Sequence, residues 1–262
     1  MTISGGLTAL VLAGRRPGAP DEMAEAERVS HKALIDVGGQ PMIARVLEAL
    51  RGVSRVKRVL LAAGDDLRGP LAAIDASTQF APASGTPATT VRAALAELSR
   101  GEELLVTTCD HPLLSSAMIE TFLKSFDSAR LGAAAACVTR ATYEARYAGT
   151  RRTFVNLRDF SFSGANLFWF RAGAAEPLLD FWRALEAQRK HPARMAASIG
   201  LAALVLYATG MLTKARLIET IEKKSGVKAD LVALPQAEAA IDVDKPVDLE
   251  LVRRILSRNS AS

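Results

Sequence analysis

The sequence has little of what several large classes of protein need. Its 262 residues include two cysteines and three well-separated histidines, so neither a disulfide framework nor a zinc-binding spacing is present. Cys109 and Cys137 both end apolar runs, which is typical of buried thiols in a reducing compartment. Only 5% of the residues are aromatic, and no run of Lys and Arg is interleaved with them. The composition therefore indicates no nucleic-acid-binding surface.

Long apolar runs are also missing. The uncharged segment Ile199 to Leu212, "IGLAALVLYATGML", falls short of the roughly 20 residues that a membrane-spanning helix needs. It favours a buried core helix. A subunit interface of a homo-oligomer or a contact with a membrane surface remains open, because Lys190 and Arg194 precede the segment and Lys214 and Arg216 follow it.

Net charge and the amino-terminal stretch say little about partners. The formal charge of +5 fits an anionic ligand, but a moderate charge more often only keeps a protein soluble. The stretch "MTISGGLTALVLAGRR" has no basic region before its short apolar run, which is not the pattern of a signal peptide. We therefore expect a cytoplasmic protein.

Short apolar runs alternate with amphipathic stretches along the whole chain. Most of the runs lack period-two alternation, as expected of strands that are covered on both faces. The predicted strands are Leu7 to Ala13, Val56 to Ala63, Leu104 to Thr108, Gly132 to Val138, Ala165 to Phe170 and Leu231 to Leu234. The predicted helices are Met42 to Leu50, Thr89 to Leu98, Ser116 to Phe126, Ala174 to Gln188 and Val247 to Leu256. This order predicts an α/β fold with a mostly parallel sheet and helices on both faces.

The chain shows no fixed-period repeat and no low-complexity linker. We expect a single domain over residues 1–262, with a small excursion near 143–162 and a helical insert near 173–226. The polar segment Gly14 to Ser30 is longer than most loops that follow a strand. It leaves the carboxyl end of the first predicted strand, which is where an open α/β sheet usually binds its ligand.

A carboxylate ends the apolar strand in "LLVTTCDHPLL". Burying Asp110 there is costly unless a cation accompanies it. Downstream, Asp242 and Asp244 are separated by one residue and stand just before Pro246, which opens a predicted helix. One of them can join Asp110 at a magnesium site, because Mg²⁺ is held by one or two carboxylates plus substrate phosphates. Equally, Asp244 can cap the helix while Asp242 is solvated.

The turn after the first strand has features of a phosphate-binding loop. Gly14 would let backbone amides approach phosphates, and Arg15 and Arg16 add positive charge. The segment matches neither a P-loop nor a complete G-x-G-x-x-G, and a glycine after a strand is usually only a turn. Lys32 in "HKALIDVGGQPMI" is a further basic candidate, although a solvated surface lysine is the commoner situation.

Five motifs follow one another along the chain: L-x-L-A-G, H-K-A-L-x-x-x-G-G-x-P-M-I, T-C-D-H-P-L-L, S-G-A-N-L-F and I-D-V-D-K-P-x-D-L. In this order, from about Leu7 to Leu256, they resemble the MobA-like NTP transferases, which are nucleotidyltransferases related to molybdenum cofactor guanylyltransferase. The resemblance implies a Rossmann-like sheet of the nucleotide-diphospho-sugar transferase type. It also implies Mg²⁺-dependent transfer of NMP from an NTP to a phosphorylated small molecule, with release of pyrophosphate. CTP and GTP are favoured by this analogy alone.

The resemblance also implies roles for individual residues. Asp110 would be the first magnesium ligand and Asp244 the second, with Asp242 the weaker candidate. The residues that would bind the nucleotide are Ala13, Gly14, Arg15, Arg16 and Lys32 around the triphosphate, and Gly85, Thr86 and Thr90 near the base. Lys32, Arg16 and Asp110 are the expected catalytic residues, and Asn166 is expected to bind the acceptor. The chain departs from the family pattern at Arg15, where relatives usually carry a second glycine, and its loop is longer.

Two other functions remain open at this point. A glycosyltransferase would hold a metal-bound sugar nucleotide through one D-x-D motif. The only such motif here, Asp242-Val243-Asp244, lies near the carboxyl end of the chain, which counts against this function. A non-catalytic nucleotide-binding module is the second alternative, if the altered Gly-Arg loop no longer supports transfer. Release of pyrophosphate separates transfer from binding, and consumption of a sugar nucleotide identifies a glycosyltransferase.

Overall fold

The computed structural model of the chain describes residues 6–14, 21–188 and 200–259. These residues form one eight-stranded sheet with the order β3-β2-β1-β4-β7-β5-β8, and β6 pairs with β7 outside this path. The strands are β1 Leu7–Ala13, β2 Val56–Ala63, β3 Gln79–Pro82, β4 Glu103–Thr108, β5 Ala133–Thr139, β6 Val155–Asn156, β7 Ser161–Arg171 and β8 Ala229–Ala233.

Most neighbouring strands are parallel. β1 runs parallel to β2 and β4, β2 to β3, and β5 to β8. Only β7 runs the other way, because it returns the chain between β4 and β5 and forms a hairpin with β6. The predicted α/β class with a mostly parallel sheet is confirmed.

Helices cover both faces of this sheet. They are α1 Glu22–Ala26, α2 Met42–Arg51, α3 Arg68–Ile74, α4 Pro87–Ala96, α5 Ser116–Lys124, α6 Arg140–Tyr147, α7 Glu176–Ala187, α8 Leu201–Ala208, α9 Lys214–Ser225 and α10 Pro246–Asn259. Alternate residues of one strand enter two separate cores: Val11 of β1 packs with α2, α5 and α10, whereas Leu10 packs with α4 and α7. Because both sets are apolar, the central strands read as continuous apolar runs.

All the predicted strands and helices are present, with ends displaced by a few residues. The sequence patterns missed β3, a four-residue edge strand with no fully buried side chain, the two-residue strand β6, and the helices α3, α6 and α9. They also missed α1 within the polar segment after β1, where Asp21 caps the helix by accepting a hydrogen bond from the Ala24 backbone N–H. The two domain-level features near 143–162 and 173–226 stay predictions.

The segment from 199 to 212 was predicted to be a core helix, and for its described part this is wrong. Ile199 lies outside the described residues. Among the described side chains of this segment, Ala203 and Leu212 are buried and Leu206 is half-buried, whereas Leu204, Val205, Tyr207 and Met211 are exposed. The physical reason is that α8 packs beside α9 rather than between the sheet and a further layer. No helix among the described residues is both long and apolar enough to cross a membrane.

Trp169 of β7 provides a test of this packing. Its side chain is fully buried, and its ring lies 5.0 Å from that of Phe126, centroid to centroid. Trp169→Ala should lower the free energy of unfolding by about 3–5 kcal/mol, because it removes a large buried ring and leaves a cavity. Urea denaturation followed by far-UV circular dichroism measures the loss. The matched control is Trp182→Ala on α7, where the ring is only half-buried and a clearly smaller loss is expected. Equal losses would contradict the packing described here.

Candidate functional site

Asp110 stands just past the carboxyl end of β4, next to the end of β1. The chain is held there by a backbone hydrogen bond from Cys109 N–H to the carbonyl oxygen of Leu12, 3.0 Å long. The Asp110 side chain is nearly buried and accepts a hydrogen bond from the Thr108 hydroxyl. Pro112 follows two residues later, so the strand cannot continue as a regular ladder. The carboxylate is thus fixed at the edge where parallel α/β sheets bind their ligands.

A second acidic segment is bound directly to this point. The backbone N–H of Val243 donates to the carbonyl oxygen of Asp110 at 2.8 Å, and the Val243 side chain is fully buried. The segment 241–243 has no regular secondary structure, and the side chains on either side of Val243 have different partners: Asp244 contacts Lys32, and Asp242 contacts Arg152. The structure therefore brings Asp110 and Asp244 together and separates Asp242 from them.

Lys32 completes a cluster with these two carboxylates. It begins a short 3-10 turn, Lys32–Leu34, and its backbone N–H donates to the Asp21 carboxylate at 2.9 Å. The Lys32 Nζ forms a close ion pair with Asp110 Oδ2 and lies 3.4 Å from Asp244 Oδ1. Lys32 is therefore not a solvated surface lysine, because both carboxylates converge on its ammonium group.

Burial and charge shift the ionisation of this cluster. Burial works against the charge on Lys32, but the Asp110 carboxylate beside it outweighs that cost and raises the pKa of Lys32 above its ordinary value. Burial also raises the pKa of the Asp244 carboxyl, although Lys32 opposes this shift. The neighbouring His111 is buried, which lowers its pKa to about 4. At pH 7 the imidazole is therefore neutral, and Lys32 is the cation of the cluster.

The carboxylates of Asp110 and Asp244 are the candidate ligands for a magnesium ion. Among the described residues, no group of three or more His, Cys, Asp or Glu side chains could hold a metal ion. Two carboxylates that already converge on one cationic group, Lys32 Nζ, do fit Mg²⁺, because this ion is usually bound through one or two carboxylates plus phosphates and water. Asp110 and Asp244 are therefore suitable ligands, provided that a substrate supplies the remaining oxygens.

The predicted triphosphate loop is described only in part. Ala13 ends β1 in a buried position, and Gly14 follows it at the surface, whereas Arg15 and Arg16 lie outside the described residues. A Cβ on Gly14 would lie 3.8 Å from the Cβ of Ala83, so this turn adjoins the loop that follows β3. The turn after β1 and the loop after β3 therefore lie side by side at the carboxyl edge of the sheet.

The three residues predicted to lie near the base belong to that second loop. Gly85 has a φ of +73°, which favours glycine. The hydroxyl of Thr86 caps α4 by accepting from the Thr89 backbone N–H, and that of Thr90 accepts from the Ser84 backbone N–H at 3.0 Å. Both hydroxyls thus shape the loop itself, and their contact with a nucleotide stays a prediction.

Asn166 belongs to a separate polar network on the other side of Val243. Its Nδ2 donates to Asp242 Oδ2 at 2.8 Å, and Arg152 donates to Asp242 Oδ1 at 2.6 Å and to Ser163 Oγ at 3.0 Å. Burial would raise the pKa of Asp242, but Arg152 and Asn166 hold it below its usual value. Asn166 adopts a left-handed backbone conformation, with φ of +44°. Sequence patterns missed Arg152, because only the fold shows which carboxylate it meets.

Comparison with known proteins is consistent with this geometry. Residues 9–223 match the family described as the MobA-like NTP transferase domain. No curated protein matches the chain. A hypothetical transferase from Thermus thermophilus is similar in structure, with a TM-score of 0.78, 28% identity, and coverage of 93% of this chain and 99% of that one.

Two structures of named enzymes are similar in fold. One is 4-diphosphocytidyl-2C-methyl-D-erythritol synthase from Anaerococcus prevotii, with a TM-score of 0.62, 12% identity, and coverage of 97% of this chain and 100% of that one. The other is CMP:2-keto-3-deoxy-manno-octonic acid synthetase in complex with CTP, with a TM-score of 0.59, 17% identity, and coverage of 97% and 99%. At these identities the likeness shows the fold alone. Because the family match spans most of the chain, the protein belongs to the MobA-like NTP transferase family and is a nucleotidyltransferase.

Proposed function

We propose that the protein transfers NMP from a nucleoside triphosphate to a phosphorylated small molecule, in the presence of Mg²⁺ and with release of pyrophosphate. The observation that carries this proposal is the convergence of Asp110 and Asp244 on the Lys32 ammonium group at the carboxyl edge of the sheet. CTP is the first nucleotide to test, because one structural neighbour holds CTP and another is named for a diphosphocytidyl product. We place the enzyme in the cytoplasm, where its two buried free thiols stay reduced.

Asp110 and Asp244 are the proposed ligands of Mg²⁺. When bound, the ion would neutralise phosphate charge and polarise the phosphoryl group. Asp110 suits this role because its side chain is nearly buried and already positioned by the Thr108 hydroxyl. Asp244 is more exposed, which suits a ligand that meets a substrate from solvent. We assign no metal to Asp242, because Arg152 and Asn166 already satisfy its carboxylate.

The reaction follows from positioning and charge. A phosphate oxygen of the acceptor attacks the α-phosphorus in line, the bond from that phosphorus to the bridging oxygen breaks, and pyrophosphate leaves. Lys32 provides a positive charge beside the phosphates, and the backbone N–H of Gly14 is a proposed donor to a phosphate oxygen. Asn166 is the proposed acceptor contact, and Asp242 positions it through the hydrogen bond between their side chains. No covalent intermediate is required.

The glycosyltransferase alternative is less consistent with this geometry. Such an enzyme would use both carboxylates of one D-x-D motif around one metal ion. Here the two carboxylates of Asp242-Val243-Asp244 have different partners, Arg152 and Lys32, on opposite sides of a buried valine. We therefore retain nucleotidyl transfer as the proposed reaction.

The first prediction concerns the reaction itself. With one nucleoside triphosphate and one phosphorylated sugar, polyol or pterin, the protein should release pyrophosphate only when Mg²⁺ is present. Direct chromatographic measurement of the nucleotide product and of pyrophosphate, over CTP, GTP, ATP, UTP and a set of sugar nucleotides against such a panel, tests it, and EDTA should abolish turnover. Nucleotide binding without turnover anywhere in the panel would instead support the non-catalytic module, and turnover of a sugar nucleotide would support the glycosyltransferase.

The second prediction tests the ligand assignment. Asp110→Asn and Asp244→Asn keep the side-chain size but remove a charged ligand. Each should lower kcat at least ~100-fold, on the order of 3 kcal/mol of transition-state stabilisation. Asp242→Asn is the matched control on the same segment. It should cost less turnover, because its side chain faces Arg152 rather than the cluster.

Two results would contradict this assignment. Full activity in a folded Asp110→Asn variant would remove Asp110 from the metal site. A larger loss in Asp242→Asn than in Asp244→Asn would exchange the roles of the two downstream carboxylates. Thermal denaturation of each variant separates these results from a loss of fold.

The third prediction concerns Lys32. Lys32→Ala should raise KM for the nucleotide by roughly tenfold or more and also slow turnover, because a charge-assisted phosphate contact acts in both the ground and transition states. Binding of Mg²⁺ without nucleotide should not weaken, since the variant removes the ammonium group that contacts the same carboxylates. Steady-state kinetics and Mg²⁺ titration calorimetry measure the two effects.

The control variant is Lys32→Arg, which keeps the charge and should lose less activity. Weaker Mg²⁺ binding with an unchanged KM would contradict a phosphate role.

A further inference from the structure

Large apolar side chains are exposed mainly in one short segment. Four of the six such residues in the described part of the chain are Leu204, Val205, Tyr207 and Met211, which are 40–51% exposed. We call these four residues the α8 patch. A cluster in the sequence of large exposed apolar side chains can mark a site of interaction with another molecule or with a membrane.

Basic side chains line a groove that adjoins the α8 patch at Met211. A groove of about 550 Å³ runs between α8 and α9, and its basic lining residues are Arg158, Arg216, Lys223 and Lys224. Among the described residues, its one acidic lining residue is Glu219, which is bound by Arg216 at 2.8 Å and by Lys223 at 2.7 Å. Four positive charges against one negative charge leave a net of +3 beside the apolar surface. This combination favours an anionic partner that also offers an apolar phase.

The α8 patch is connected through the β6–β7 turn to the strand that carries the proposed acceptor contact. The carbonyl oxygen of Leu212, one residue past Met211, accepts a hydrogen bond of 2.8 Å from the Arg158 backbone N–H. Arg158 belongs to the turn between β6 and β7, and β7 carries Asn166. In register, Phe162 near the start of β7 pairs with Thr139 at the carboxyl end of β5. The patch is therefore attached to the edge of the sheet at which the candidate site opens.

We propose that the α8 patch binds the surface of an anionic phospholipid bilayer. Its apolar side chains enter the boundary between head groups and acyl chains, and the basic side chains that line the adjoining groove bind lipid phosphates. With eight residues, α8 lies on the membrane and does not cross it. A second copy of the chain is a poorer occupant, because two such surfaces would bring their net positive charges together. The proposal does not depend on the nucleotidyl acceptor.

Sedimentation with vesicles tests this proposal on the full-length protein. The vesicles contain phosphatidylcholine alone or phosphatidylcholine with phosphatidylglycerol. Partition should be at least ~10-fold stronger onto the anionic vesicles and should fall steeply as salt is raised, because salt screens the attraction of the basic groups. Absence of binding to anionic vesicles, or equal binding to both kinds, would overturn the proposal.

Two sets of variants locate the contact. Val205→Ser, Tyr207→Ser and Met211→Ser combined should reduce partition at least ~10-fold, and Arg158→Gln with Lys224→Gln should reduce both partition and its salt dependence. The matched control is Val247→Ser on α10, which removes an exposed valine outside the patch and should leave partition unchanged. Circular dichroism checks the fold of each variant. Unchanged partition in both sets overturns the proposal, as does a dimer, seen by light scattering, that the serine variants dissociate.

Discussion

The hydrogen bond from the Val243 backbone N–H to the Asp110 carbonyl oxygen holds the candidate site together. It joins the end of the central strand β4 to a segment near the carboxyl terminus of the chain. The Val243 side chain is buried, and the two carboxylates that flank it have different partners. One faces the Lys32 ammonium group and the other faces the Arg152 guanidinium group. A single backbone contact thus separates a charged cluster that suits phosphates from a polar network that suits an acceptor.

Both groups of charges are consistent with the cost of burying carboxylates. Asp110 is nearly buried and Asp242 is mostly buried, and each has a cation within contact distance. The two cations, Arg152 and Lys32, differ in how they are held. Arg152 also bonds to Ser163 and is held in place, whereas Lys32 is a flexible side chain whose ammonium group contacts two carboxylates. The first network therefore holds Asp242 in place beside Asn166, and the second holds a positive charge between two carboxylates at the carboxyl edge of the sheet.

The hairpin of β6 and β7 connects the remaining features of the molecule. It places Asn166 beside Asp242, and its turn bonds to Leu212 at the end of the exposed apolar segment. The strand β7, which runs antiparallel to its neighbours β4 and β5, thus links the candidate acceptor side to the outer surface formed by α8 and α9. A protein bound to a bilayer through that surface would have its catalytic edge attached to the same hairpin.

The sequence by itself determined the fold class, the family and the main acidic candidates. Continuous apolar runs predicted covered strands, and the carboxylate at the end of one run marked Asp110, because both signals depend on residues close together in the chain. The tertiary structure alone decided that Asp244 meets Lys32, that Asp242 pairs with Arg152, and that α8 is exposed rather than buried. These outcomes depend on contacts between segments far apart in the sequence, and no local pattern specifies which distant side chain a charge meets or whether a neighbouring layer covers an apolar helix.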